Sequence, residues 1–261
     1  MKNEPQKGSG LPMIIIGVVL IAAVAGAYFL YNSSQTPANR NTAAGNKNTS
    51  RTANSATAPL GANPPNMLGS PTASVTVEEF ADFQCPACAS VHPTMKEIQS
   101  TYGNRIRFIF RNFPLAIPQH DKAYEAAVAS EAVRMQDSTK FWDFQNKLYE
   151  NQQVWSANPN YRQIWEGYVR DAGLDVEKFK ADMAGSAAKQ RVDADIQRGR
   201  GLSVDSTPSV FVNGKNIPME SINVANLRQV IDAEIQNAIK TQPAANSAPA
   251  SNSAANSNAA K

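Results

Sequence analysis

Cys85 and Cys88 are the only cysteines in the chain, and Pro86 and Ala87 separate them. Val75, Val77 and Phe80 lie just upstream in an apolar, β-branched run, which predicts a strand over residues 75–83. A helical pattern begins directly after the pair, and Pro86 suits the first helical position, where a missing N–H costs nothing. Cys85 is therefore expected at a helix N-terminus. Unpaired backbone N–H groups and the helix dipole there favour a thiolate. A strand feeding a C-x-x-C at the mouth of a helix has the geometry that thiol–disulfide exchange requires. Cys85 is the expected nucleophile. Cys88, one turn further in, is expected to be buried and to act as the resolving thiol. The pair has two other readings. A disulfide that only staples the helix start gains little chain entropy, because the loop it closes is so short. Zinc could be held by Cys85, Cys88, His92 and His120.

Other residues near the pair carry possible chemistry. By strand alternation Glu79 shares a face with Val75, Val77 and Ala81. A carboxylate in that apolar line is costly unless it has a role. Glu78 and Asp82 are expected to face elsewhere. Pro208, after Thr207, cannot donate to a ladder in a run that otherwise reads as a strand, so it marks a special turn. His92 reads as a helix-surface or interface histidine. Trp142, Trp155, Trp165, Phe141 and Phe144 read as the core of a helical region.

The elements that would position these groups fill the middle of the chain. Residues 71–240 form the expected folded domain, a comfortable size for one core. Its order is strand, helix (87–102), strand (105–113), a helical region with an insertion at about 115–185, strand (206–212), strand (216–219) and helix (224–240). Asn213-Gly214 is a strong hairpin signal. This pattern is α/β. Upstream, residues 1–10 read as a short cytoplasmic N-terminus. Residues 11–31 carry no charge and are long enough to cross a bilayer. Lysines precede the run, which favours an N-terminus inside and a domain outside. The run reads either as an uncleaved membrane anchor or as a signal peptide cut after Ala25-Gly26-Ala27. Residues 32–70, rich in Asn, Thr, Ala, Ser and Pro, read as a disordered tether, and 241–261 as a disordered tail. With 25 basic and 22 acidic residues and a net charge of +3, nothing argues for nucleic acid.

These residues resemble the DsbA-like thiol:disulfide oxidoreductases of the thioredoxin superfamily over about Val75–Ala238. The specific pieces are EFADFQCPAC, ASVHPTMKEI, the RNFPL end of the second strand, KFWDFQNKLYENQ and TPSVFVNG. The resemblance implies a thioredoxin fold with an inserted helical domain, here preceded by one transmembrane helix. It implies a redox disulfide between Cys85 and Cys88, a cis peptide before Pro208, and a Thr207 backbone that pairs with extended substrate. It gives Glu79 the task of moving the proton of the buried cysteine. The implied activity is disulfide formation in exported proteins, with a reductase or isomerase as the alternative. The implied partners are thiol-bearing exported substrates and a membrane redox partner of the DsbB or vitamin-K-epoxide-reductase type. No cofactor or resident metal is expected, and a monomer is. The best-known oxidases of the family often carry Pro-His between the cysteines; here Ala87 replaces the histidine that helps hold the thiolate.

Overall fold

The protein is described here from a computed structural model, which describes residues 57–241. The expected membrane-spanning run at 11–31, the segment 1–10, most of the tether and nearly all of the tail lie outside the described residues. Among the described residues no helix is long and apolar enough to cross a membrane.

A five-stranded sheet forms the centre. Its strands are β1 (Asn66–Gly69), β2 (Thr76–Ala81), β3 (Arg107–Asn112), β4 (Ser209–Val212) and β5 (Lys215–Ile217), in the order β1-β3-β2-β4-β5. β2 lies in the middle, parallel to β3 and antiparallel to β4. The helices are α1 (Pro86–Tyr102), α2 (Ala123–Gln136), α3 (Lys140–Glu150), α4 (Gln152–Ser156), α5 (Tyr161–Asp171), α6 (Val176–Ala184), α7 (Ser186–Gly201) and α8 (Val224–Thr241).

Strand alternation divides the core in two. Val75, Val77 and Ala81 face the side that also buries Cys88, Met95 and Ile98 of α1 and Leu227 and Ile231 of α8. Phe80 faces the other side, with Phe113, Leu202, Val204 and Phe211, and α7 covers it. A Cβ on Gly199 of α7 would come within 2.5 Å of the Phe113 ring, so only glycine allows this approach. Between β3 and α7 the helices pack on one another. Phe141, Phe144, Trp155 and Trp165 are buried there, while Trp142 is partly buried against Phe108. The buried Trp155 indole donates to the Leu148 carbonyl at 2.7 Å.

The strands are shorter than expected, β2 ending at Ala81 rather than near Phe83 and β4 starting at Ser209 rather than 206, and the start of the folded domain differs more. Residues 57–70, expected in the disordered tether, include β1, which pairs antiparallel with β3, and Ala62 and Asn66 are 3% exposed. The segment is poor in apolar residues, and only Ala58, Ala62 and Leu68 bury apolar surface against the core. Arg111 donates to the carbonyls of Leu60 and Ala62, Arg198 to that of Pro59, and Arg134 and Arg191 to that of Pro64. Fixed arginine forks add to these few hydrophobic contacts.

Candidate active site

β2 ends at Ala81, and the chain turns through Asp82-Phe83-Gln84 into α1. Pro86 occupies the first turn, and Cys85 is the N-cap with an extended backbone (φ −74°, ψ 120°). No side chain caps this end, and its first turn holds no acid. The orphan N–H groups are thus left to the Cys85 sulfur. The two sulfurs are unbonded; Cys88 is fully buried, while Cys85 keeps 6% exposure.

The two thiols are pushed in opposite directions. The Cys85 thiol is lowered to about 5. The largest cause is the hydrogen bond from Cys88; burial opposes it, and Thr207 and the backbone N–H groups of Cys88 and Ala87 add to it. The sequence pointed to the helix end, yet the partner thiol contributes more. Cys88 is raised well above the ordinary thiol value, first by burial and then by Cys85. This split makes Cys85 the better leaving group and the thiolate at neutral pH.

Thr207 lies across from the pair. The Thr207–Pro208 peptide is cis, and the Cys85 thiol donates to the Thr207 carbonyl at 3.4 Å. Glu79 is 2% exposed on the α1 side of β2, flanked by Phe110 of β3 and Val210 of β4 in register. Burial alone raises its carboxyl to about 8. Thr207 and Pro208 thus stand against Cys85, while Glu79 lies on the face of β2 whose neighbours Val77 and Ala81 share the core with Cys88.

The zinc reading fails on geometry. His92 Nε2 is bonded to Asn146 Oδ1 at 2.9 Å and stacks on Tyr149, at the interface between α1 and α3. His120 Nδ1 is bonded to Asp82 Oδ2 at 2.7 Å. Among the described residues no three His, Cys, Asp or Glu side chains are grouped to hold a metal.

Asp82 does not face away, as alternation suggested, because the strand has ended. It is 1% exposed; its carboxylate accepts from the N–H groups of Gln84 and Leu115 at 2.7 and 2.9 Å, as well as from His120. Its own N–H lies 3.5 Å from the Cys88 sulfur. Gln152 of α4 was also missed. Its amide donates to the carbonyls of Phe83 and Cys85 at 2.8 and 2.9 Å, and so holds the thiol loop from the helical region. Gln84 links the same loop to Asp121 and Lys122. No local spacing signals such bonds, which join residues 37 or more positions apart.

The chain matches the family model described as Thioredoxin over residues 62–233. It belongs to the thioredoxin family. "Probable disulfide bond formation protein D" of Bacillus cereus is 33% identical over 175 residues, covering 65% of this chain and 78% of that protein. The crystal structure of oxidised BdbD from Bacillus subtilis is similar with a TM-score of 0.58 at 25% identity, covering 69% of this chain and 98% of that one. The "Na(+)/H(+) antiporter NhaA 1" of Mycolicibacterium gilvum is 34% identical over 149 residues, 56% of this chain. The match spans only 23% of that protein's length. The thioredoxin-like fold with helices inserted between β3 and β4 is thus supported by both the family model and a solved structure.

Proposed function

We propose that this member of the thioredoxin family is a thiol:disulfide oxidoreductase that acts outside the cytoplasm, tethered by residues 11–31, and introduces disulfides into exported proteins. The opposed shifts of Cys85 and Cys88 at the mouth of α1 carry this reading. A low thiol value stabilises the reduced form and makes the disulfide oxidising. The B. cereus and B. subtilis relatives support it. The uncharged run at 11–31, with lysines before it, supports the location.

In the forward reaction the Cys85–Cys88 disulfide is attacked at Cys85 by a substrate thiolate. A substrate–Cys85 bond forms, and Cys88 leaves as a thiolate. Glu79, protonated at neutral pH because of its burial, gives its proton to Cys88. A second thiolate of the substrate then attacks the substrate sulfur of the mixed disulfide, the substrate disulfide forms, and Cys85 leaves as a thiolate. Two electrons have passed to the dithiol. A membrane redox partner of the DsbB or vitamin-K-epoxide-reductase type takes them up again. The cis Thr207–Pro208 edge pairs with the extended substrate segment through backbone hydrogen bonds.

The deciding measurement is the potential of the Cys85–Cys88 couple together with oxidation of a reduced, unfolded protein. A potential above about −200 mV and oxidation that vanishes in Cys85→Ser are expected. A potential near about −270 mV, with reduction of substrate disulfides instead, would assign a reductase.

A further inference from the structure

Tyr149, at the end of α3, is buried and takes no part in the exchange chemistry described so far. Its ring packs on Phe83, two residues before Cys85, at 5.1 Å between centroids. It also packs on His92, one turn beyond Cys88, at 4.7 Å. The following residues lead directly to Gln152, whose amide holds the Cys85 carbonyl. The Tyr149 side chain is thus wedged between the two ends of the thiol loop. Its hydroxyl is buried and has no hydrogen-bond partner. Such a group is costly to keep unless it is used in another state of the protein.

The charges that act on this hydroxyl, after burial, are those of Cys88, Glu79, Asp82 and Cys85. Burial and these charges push its own ionisation well above the ordinary phenol value, so it stays a neutral donor. Cys88 and Glu79 share its surroundings, and burial disfavours the charged form of each. No salt bridge reaches Glu79 among the described residues, whereas Asp82 is engaged by His120 and backbone N–H groups. His92, on the remaining side, is held by Asn146, and burial lowers its ionisation. Around the cysteines, the Tyr149 and Thr207 hydroxyls are the buried neutral donors without an acceptor among the described residues, and Tyr149 is the one supplied by the helical region.

We propose that Tyr149 is a positioning residue for the half-reaction in which Cys88 leaves, its hydroxyl donating, directly or through one water, toward Cys88 and Glu79 whenever a negative charge resides there. The proton ledger is unaffected. When Cys88 leaves as a thiolate, the Glu79 carboxylic acid O–H breaks and the Cys88 S–H forms. Tyr149 keeps its proton throughout and lowers the energy of the charge in transit.

The inference rests on the exchange reading above, and its test separates the two. Tyr149→Phe keeps both ring contacts and removes only an unpaired hydroxyl, so the full chain should melt at or above the parental temperature. Reaction of the oxidised variant with a small dithiol is followed across pH. The Cys88-dependent step should slow about tenfold at neutral pH, with its profile moved to higher pH, while alkylation of Cys85 in the reduced protein keeps its low-pH midpoint. Adding Glu79→Gln should slow the step less than the product of the two single effects. Replacing tyrosine throughout by 3-fluorotyrosine, whose hydroxyl is a stronger donor, should move the profile to lower pH without loss of side-chain volume. Superimposable profiles for the parent, Tyr149→Phe and fluorinated proteins would overturn the proposal. A Cys85 that alkylates like a free cysteine would instead defeat the exchange reading.

Discussion

Glu78 and Glu79 are neighbours on β2, yet the fold treats them as opposites. Glu79 faces α1 between Phe110 and Val210, and burial raises its carboxyl to about 8. Glu78 faces α7, and burial acts on it in the same direction. There, however, Arg198 and Arg111 overcome burial and hold it below the ordinary carboxylate value. Arg198 reaches both Glu78 oxygens at 2.6 and 2.7 Å, and Arg111 reaches Oε1 at 2.7 Å. Arg111 also holds Asp195 at 2.9 Å, and Asp195 in turn accepts from the N–H groups of Ala62 and Asn112. One face of the central strand thus ties down structure with paired charge, although burial outweighs Arg111 at Asp195 and raises its carboxyl to about 6. The other keeps a carboxyl unpaired, and therefore able to exchange a proton near neutral pH. A buried ionisable group serves stability when partners fix its charge, and chemistry when none do.

The largest test of this contrast is Arg111→Ala. It strands Asp195, leaves Glu78 to Arg198 alone and releases the segment at 57–66, so a loss of about 3–5 kcal/mol is expected in urea unfolding. Exchange by the protein that remains folded should be unchanged; a rate that falls with stability would mean that the two faces are coupled. Glu79→Gln should do the reverse. Its stability at pH 8 should hold or rise, while exchange with a small dithiol slows about 100-fold. Equal rates for variant and parent would remove Glu79 from the mechanism.

A third test uses pH. Between its ordinary value of 4.5 and about 8, Glu79 binds more protons in the folded state than in the unfolded chain. Its contribution to stability is complete below that window and is lost as pH rises through it. Cys85, lowered from 9.0 to about 5, acts oppositely in the reduced protein, adding stability as pH rises across its own window. The two slopes oppose one another between pH 5 and 8. Reduced parent protein should therefore show a shallow profile, whereas Cys85→Ser should lose stability with rising pH by up to about 1.4 kcal/mol per pH unit. A flat profile for that variant would contradict the raised Glu79. Smallest of all, Gln152→Ala should cost about 1 kcal/mol, because two carbonyls of the thiol loop lose their donor. Faster amide exchange at Phe83–Cys85 would register the loosened loop.

The sequence alone was enough to place Cys85 and Cys88 at a strand-to-helix junction. Strand periodicity, Pro86 and the hairpin signal at Asn213-Gly214 are local features, legible because each acts within a few residues. The order of elements from β2 onward followed from the same rules, and so did the side of β2 on which Glu79 lies. Tertiary structure alone decided what surrounds each charge. Arg111 reads locally as one basic residue in an alternating strand, and Asp195 as one acid in a polar helix; only the packing of α7 on the sheet brings them together. The same distant contacts order residues 57–70, which composition assigned to a tether. They also bring Gln152 and Tyr149 to the back of the thiol loop. Burial and charge pairing depend on which surfaces meet, and that is set by the whole fold rather than by spacing along the chain.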